Sequence, residues 1–252
     1  DSPCRLKSDG TTLNNWGNNT SLAVEDNDDG LVSRDEYLGV FYPSLFTSDN
    51  AGNNVVVPPS HAIMRTFALS DQVSFPWFAP AGTRRGGITN ASAAGFVDSE
   101  GEFKSIALNE GQRDTLYSLN INPITFLTGA GLVNFGQKTR ARNASALDRI
   151  NVARLVIYLR SQLKKLAKPY IFEPNDKITR DEIKAQVDSL MLELVSQRAL
   201  YDFLVVCDES NNTPSRIDRN ELYVDIAIEP VKAVEFIYIP LRLKNTGEIA
   251  GL

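Results

Sequence analysis

Apolar positions recur at helical spacing in two long stretches and at continuous or alternating spacing in several short ones. The chain therefore predicts a mixture of helices and strands. Val152, Leu155, Val156, Leu159, Leu163 and Leu166 form one stripe of a helix starting near Ser145 and stopping at Lys168, before Pro169. Ile183, Val187, Leu190, Met191 and Leu194 stripe a second helix, predicted to start at Thr179 with Glu182 completing a capping box. Met191 reads as core filler. A shorter helix is predicted from Asn109, with Gln112 as the capping partner three residues on.

The strand signals are shorter. YLGVFYPSLF reads as a buried strand ended by Pro43, and NINPITFLTGAGLVNFG as strand, turn, strand. YIFEPN, between the long helices, predicts a strand and a tight loop. LYDFLVVCD predicts a buried strand in which Cys207 is a small core residue. LYVDIAIEP and AVEFIYIPLRL alternate β-branched and aromatic residues as strands do. Pro240 cannot donate to a ladder, so the last strand should lie at an edge or change partners there. The fold class expected is α/β in the broad sense: mixed β-sheets with packed helices. It should end in a two-layer C-terminal domain of two long helices and terminal strands.

Composition adds bounds. With 252 residues, 42% hydrophobic and 23% charged, a packed core is expected. No apolar run approaches the roughly 20 residues of a membrane span, so no membrane insertion is expected, and no secretory signal is visible. The first residue is Asp1, which suggests a fragment or a processed form. Cys4 and Cys207 are far apart and carry no metal spacing, so a reducing compartment is the simpler reading. The sequons at Asn18, Asn90, Asn143 and Asn211 read as chance in an Asn-rich chain.

The net charge of −5 is unevenly spread: Lys138 to Lys168 holds nine basic residues and only Asp148 as an acid. Arg154, Arg160, Lys164, Lys165 and Lys168 lie mainly off the apolar stripe of the first long helix. They predict either a basic face for an acidic partner or an ordinary solvated helix face.

Motifs for chemistry are few. EDNDDGLVSRDE (25–36) places Glu25, Asn27, Asp29, Ser33 and Glu36 at calcium-ligand positions around Gly30. Neither flank reads as helix, so a calcium-binding structural or adhesive protein is kept only as the alternative function. GLVNFGQKT misses the phosphate-loop spacing because Gln137 separates Gly136 from Lys138. His61 is the only histidine; Ser60 and Asp71 lie near it without a nucleophile elbow, and no cofactor site is read. The basic helix contains only Tyr158 as an aromatic, so direct nucleic-acid binding is not expected.

The order of segments resembles the contractile tail sheath proteins of bacteriophages and related injection machines. SRDEYLGVFYPSL is similar to that family's strand leading into a YYP turn, and VVVPPSHAIMRTFALSD to its PPSG segment, with Ser60-His61 in place of Ser-Gly. FPWFAPAGTRRGGI resembles its W-x-x-PAG-x-x-RG loop through Trp77, Pro80, Ala81, Gly82, Arg85 and Gly86. NINPITFLTGAGLVNFGQKTRA resembles the segment ending in G-x-KT, here Gly136, Lys138 and Thr139, with Phe135 where a tryptophan is usual. DRINVARL and IFEPND also fit.

The resemblance implies a structural, non-enzymatic subunit without cofactors. It divides the chain into a loop-rich end of a variable insertion (1–36), the C-terminal part of a subtilisin-like sheath domain (37–109) and a sheath C-terminal domain (110–252). Subunits would form hexameric rings stacked helically around an inner tail tube, with baseplate and tail terminator at the ends. Contraction would drive the tube through the host envelope. The particle would be the virion, assembled in the host cytoplasm. An arm at 241–252 would donate a strand to a neighbour, with Phe236, Tyr238, Pro240, Leu241 and Leu243 as its contact residues. The basic helix would face the tube.

Overall fold

In a computed structural model, residues 35–97, 101–141 and 145–238 are described. Strands β1 (Val40–Tyr42) and β2 (Ser44–Ser48) flank Pro43, so YLGVFYPSLF is two strands rather than one. Proline interrupts donation along the chain, and the two halves join different sheets. β2 is hydrogen-bonded to β3 (Asn54–Val57) and to β4 (Ala93–Val97), which pairs with β5 (Phe103–Ser105), giving a four-stranded antiparallel sheet of order β3-β2-β4-β5.

Helix α1 (Pro59–Val73) follows β3, and the pattern reading assigned no element there. Pro59 occupies the first turn, where its missing N–H costs nothing. Ala62, Ile63, Thr66 and Ser70 make a narrow buried face, too small and polar to register as a hydrophobic stripe. A one-turn helix α2 (Gly82–Arg85) ends the aromatic loop.

Helix α3 (Glu110–Ser118) has the expected cap: the Asn109 side chain accepts from the Gln112 N–H, and Gln112 returns the bond. β6 (Ile121–Leu127) and β7 (Gly131–Asn134) form the expected hairpin. β1 joins β6 in parallel, making the three-stranded order β1-β6-β7. Pro123 sits inside the central strand, at a handover. The β1 register ends at Tyr42 opposite Pro123, and the β7 register begins at Ile124 opposite Asn134. A residue without an N–H is tolerated there, and its carbonyl accepts from Phe135 N–H at 2.9 Å.

The long helices are α4 (Ile150–Ala167), led in by a 3₁₀ turn at Ala146–Asp148, and α5 (Lys177–Ser196). α5 starts two residues earlier than predicted, because Asp176 rather than Thr179 is the cap and accepts from Thr179 N–H at 2.9 Å. YIFEPN forms no strand: a 3₁₀ turn at Lys168–Tyr170 leads into a tight connection with Phe172 at φ +78°. β8 (Leu200–Val206) and β9 (Asp225–Pro230) form a two-stranded antiparallel sheet, with the short helix α6 (Pro214–Asp218) between them. β8 is covered on one face only. Tyr201 and Leu204 are exposed, which corrects the expectation of a buried strand; Cys207 is buried as expected. Of the predicted strand AVEFIYIPLRL (233–243), residues 233–238 join no ladder among the described residues, and Pro240, Leu241 and Leu243 lie outside them.

Leu155, Leu159, Ile183, Val187, Met191 and Leu194 pack with Leu200 and Val205, so two helices cover one sheet, the predicted two-layer arrangement. Two smaller cores surround Leu116 with Tyr42 and Ile121, and Leu45 with Ile63 and Ile124.

Asn122, fully buried, ties these parts together. Its amide donates to Val40 O (3.0 Å) and Lys138 O (2.8 Å), and its carbonyl accepts from Lys138 N–H (2.7 Å). Gly136 passes directly over it; an added Cβ would sit 2.7 Å from Asn122 Oδ1. Asn122→Ala would strand three buried backbone groups. It should lower stability by about 3 kcal/mol or more, read as a reduced denaturant midpoint at unchanged slope. A loss below about 1 kcal/mol would show that the amide is dispensable.

Candidate assembly surface

The aromatic loop that carries the W-x-x-PAG motif is fixed, but it faces inward. Trp77 is buried in the α4–α5 core, stacks on Phe75 (4.7 Å) and donates from Nε1 to Gln197 O at the end of α5 (3.1 Å). Asn134 at the end of β7 holds the other side: its Nδ2 donates to Pro80 O (2.7 Å), and its backbone N–H donates to Gly86 O (2.7 Å). Gly82 takes φ +74°, and a Cβ on Gly86 would lie 2.5 Å from Asn134 O. Arg85 donates to Ala79 O and lies over the Phe78 ring at 4.9 Å. The loop thus fastens the helical layer to the three-stranded sheet.

The near phosphate-loop resolves in the same way. Lys138 Nζ donates to Tyr117 O (2.8 Å) near the C-terminus of α3 and sits over the Tyr117 ring at 4.1 Å. A cation there meets the negative end of the helix dipole. Burial, then repulsion by Arg149, lowers the Lys138 pKa. Thr139 Oγ1 donates to Leu147 O (2.9 Å), and Arg140, buried, donates to Leu119 O (2.7 Å). Lys138 and Thr139 are thereby committed to the interior and hold no arrangement for a phosphate.

The basic segment is accordingly not one face. Lys138, Arg140 and Arg149 are used internally, and so is Arg154, which the sequence assigned to the exposed side. Arg154 grips both Asp71 carboxylate oxygens at 2.6 Å and lies over Phe67 at 4.8 Å, joining α4 to α1. Asp71 is thus engaged away from His61, which is exposed on α1. Arg160, Lys164, Lys165 and Lys168 remain on the exposed side of α4, together with Ile157; Arg160 lies 5.6 Å from the Tyr37 ring. Lys164, Lys165 and Lys168 form no ion pair among the described residues, and these four cations are the basic patch that the structure presents.

The sheet β8–β9 offers a second surface. Among the described residues each strand has only the other as partner, so both outer edges carry unpaired backbone groups. The connection between the strands is held firmly. Asn211 donates to Val206 O, and Asn212 exchanges bonds with the Tyr223 backbone at 2.9 and 2.7 Å. Asn211 is buried in this network, which removes it as a surface sequon. Burial, first among its influences, raises the Cys207 thiol pKa, consistent with a core role.

Sequence reasoning missed Glu235. Its carboxylate accepts from Arg149 Nε (2.6 Å) and Nη2 (3.1 Å) and from Gln137 Nε2 (3.1 Å). The only sequence signal is a lone acid inside an apolar run, AVEFIYI, which invites reading as the solvent face of a strand. Of the calcium-ligand candidates Glu25, Asn27, Asp29, Ser33 and Glu36, only Glu36 lies among the described residues. It is exposed in a turn before β1, not at the start of a helix.

Comparison with known proteins follows this geometry. Residues 143–244 match the family "Phage tail sheath C-terminal domain". A tail sheath protein of Vibrio phage KVP40 is 40% identical over 199 residues, 77% of this chain and 28% of the relative. The tail sheath protein of Enterobacteria phage T4 is 34% identical over 200 residues, 78% of this chain and 29% of the relative. The chain thus spans little more than a quarter of the curated relatives it matches. The contracted helical sheath of the anti-feeding prophage shares the fold, with a TM-score of 0.72 at 22% identity over 91% of this chain and 65% of that one. The contracted PVC sheath of an extracellular contractile injection system does so at 0.72 and 19%, covering 90% and 60%. Family profile, sequence relatives and fold agree: residues 143–244 are a phage tail sheath C-terminal domain, and about three quarters of the chain is similar to tail sheath proteins.

Proposed function

We propose that this chain is part of a structural subunit that polymerises as stacked hexameric rings around an inner tail tube. Its contraction drives the tube through the host envelope, and the assembled particle is the virion, built in the host cytoplasm. The observation that carries this reading is the pairing of a two-edged sheet with a C-terminal segment, 231–238, that joins no ladder among the described residues. A two-stranded sheet is marginal alone and gains from added strands. Residues 231–238 end in Phe236, Ile237 and Tyr238, all largely exposed. In a helical lattice, the segment from one copy completes the sheet of another. The solved neighbours include sheath and baseplate assemblies, which supports self-association and contact with a baseplate. A terminator at the far end completes this reading.

Arg160, Lys164, Lys165 and Lys168 form the tube-facing patch in this reading. Exposed charges attract weakly and are screened by salt, which suits a partner released on contraction. Energy for contraction comes from the difference between two subunit packings, not from a bound nucleotide.

Two experiments test these surfaces. Removing residues 241–252 from the intact subunit should abolish sheath polymerisation, seen by electron microscopy, while the circular dichroism of the subunit stays unchanged. Normal sheaths from the truncated protein would refute the donated strand. Lys164, Lys165 and Lys168 changed together to Glu should weaken co-sedimentation with the tube roughly tenfold or more at low salt and flatten its salt dependence. An unaltered salt response would remove the patch from the tube interface.

A further inference from the structure

After β9, Val231 N–H donates to Ala199 O at 3.0 Å, the last backbone bond the described C-terminal segment makes to the body. Side-chain burial then alternates: Val231, Ala233 and Glu235 are partly covered, while Lys232 and Val234 face solvent. The alternation stops at Glu235. Phe236, Ile237 and Tyr238 are 63%, 76% and 87% exposed, so the segment leaves the body immediately after this carboxylate.

Glu235 is also the residue in this segment with the strongest polar hold. Arg149 meets it with two guanidinium nitrogens, a fork that fixes direction as well as distance. The Glu235 side chain is 16% exposed, so water competes poorly for it. Arg149 is itself fixed: it flanks the start of α4, and its backbone bridges Lys138, which Asn122 holds. Gln137 adds a bond to the same carboxylate. Burial, then the nearby Glu235 charge, raises the pKa of Tyr117 on α3. Burial disfavours the Arg149 charge, yet the bonds to Glu235 more than offset this and its pKa rises. The carboxylate is therefore received where the Lys138–Arg149 bridge and the Lys138–Tyr117 bond already bring these parts of the chain together.

We propose that Glu235 is a positioning residue for assembly: held by Arg149 and Gln137, it fixes where the C-terminal segment leaves the body and so aims Phe236, Ile237 and Tyr238 at a second copy of this chain. This rests on the donated-strand reading above. Without the anchor, the segment would pivot from Val231 and sample many directions, and a neighbour's sheet edge would capture it less often.

The test uses the intact subunit and a readout that does not require assembly. Trypsin cleavage after Lys232 releases a peptide beginning at Ala233, which mass spectrometry identifies. In unassembled Glu235→Ala this release should be roughly tenfold faster than in the unaltered protein. Thermal unfolding should move by no more than about 4 °C. Sheath yield should fall as far as it does on removal of 241–252. Arg149→Ala should give the same two effects, weakened by the Gln137 bond it leaves, and adding it to Glu235→Ala should speed release no further, because the Arg149–Glu235 pair is already gone. An unchanged release rate overturns the anchor. Faster release with full sheath yield, where the truncation still abolishes sheaths, overturns its role in aiming the segment. Full yield from both the variant and the truncation would instead refute the donated strand beneath it, and with it the aiming role, even where faster release confirms the anchor.

Discussion

The buried amide of Asn122 is the constraint on which much of this structure depends. Two of its three bonds replace a strand partner for Lys138, and the third reaches Val40 on β1. Each polar group it satisfies would otherwise be buried without a partner, at a cost of about 1–3 kcal/mol. Lys138 so placed can pair with Arg149, cap α3 and turn the chain into α4. The sheath motif ending in Gly136, Lys138 and Thr139 is therefore a fold device: a close-approach glycine, a helix-capping cation and a loop-closing hydroxyl.

The same logic applies to the aromatic loop. Trp77 fills the helical core, Asn134 holds the loop backbone, and Gly86 leaves room for the strand beneath. Motifs that look functional because they concentrate Gly, Pro, Trp and Arg here spend those residues on joining layers. The surfaces left exposed are plainer: open sheet edges, four cations on one helix and three apolar residues after Glu235.

The two long helices, the 109 cap, the β6–β7 hairpin and the two-layer packing were legible because each depends on periodicity or on a cap a few residues away. α1 was not legible, since its buried face is Ala, Ile, Thr and Ser rather than a strong stripe. The strand read into YIFEPN failed because a short apolar run between helices cannot show by itself whether it has a ladder partner. Charge was the least legible signal. Arg154 looked like its neighbours on α4 until Asp71, distant in sequence, was placed beside it. Glu235 had no local partner at all; Arg149 and Gln137 reach it only after the chain has folded.

The pairing of Arg154 with Asp71 has a mechanical consequence. α4 begins beside Arg149, where Glu235 is gripped, and a little over one turn along, it is bolted to α1 by Arg154. Tension arriving through the C-terminal segment would enter at the head of a helix already tied to a second helix and, through Trp77 beside α4, to the inner loop. Such a load path spreads a pull over the body of the subunit instead of peeling off its last strand. A subunit built this way can be dragged by its neighbours and still move as one piece.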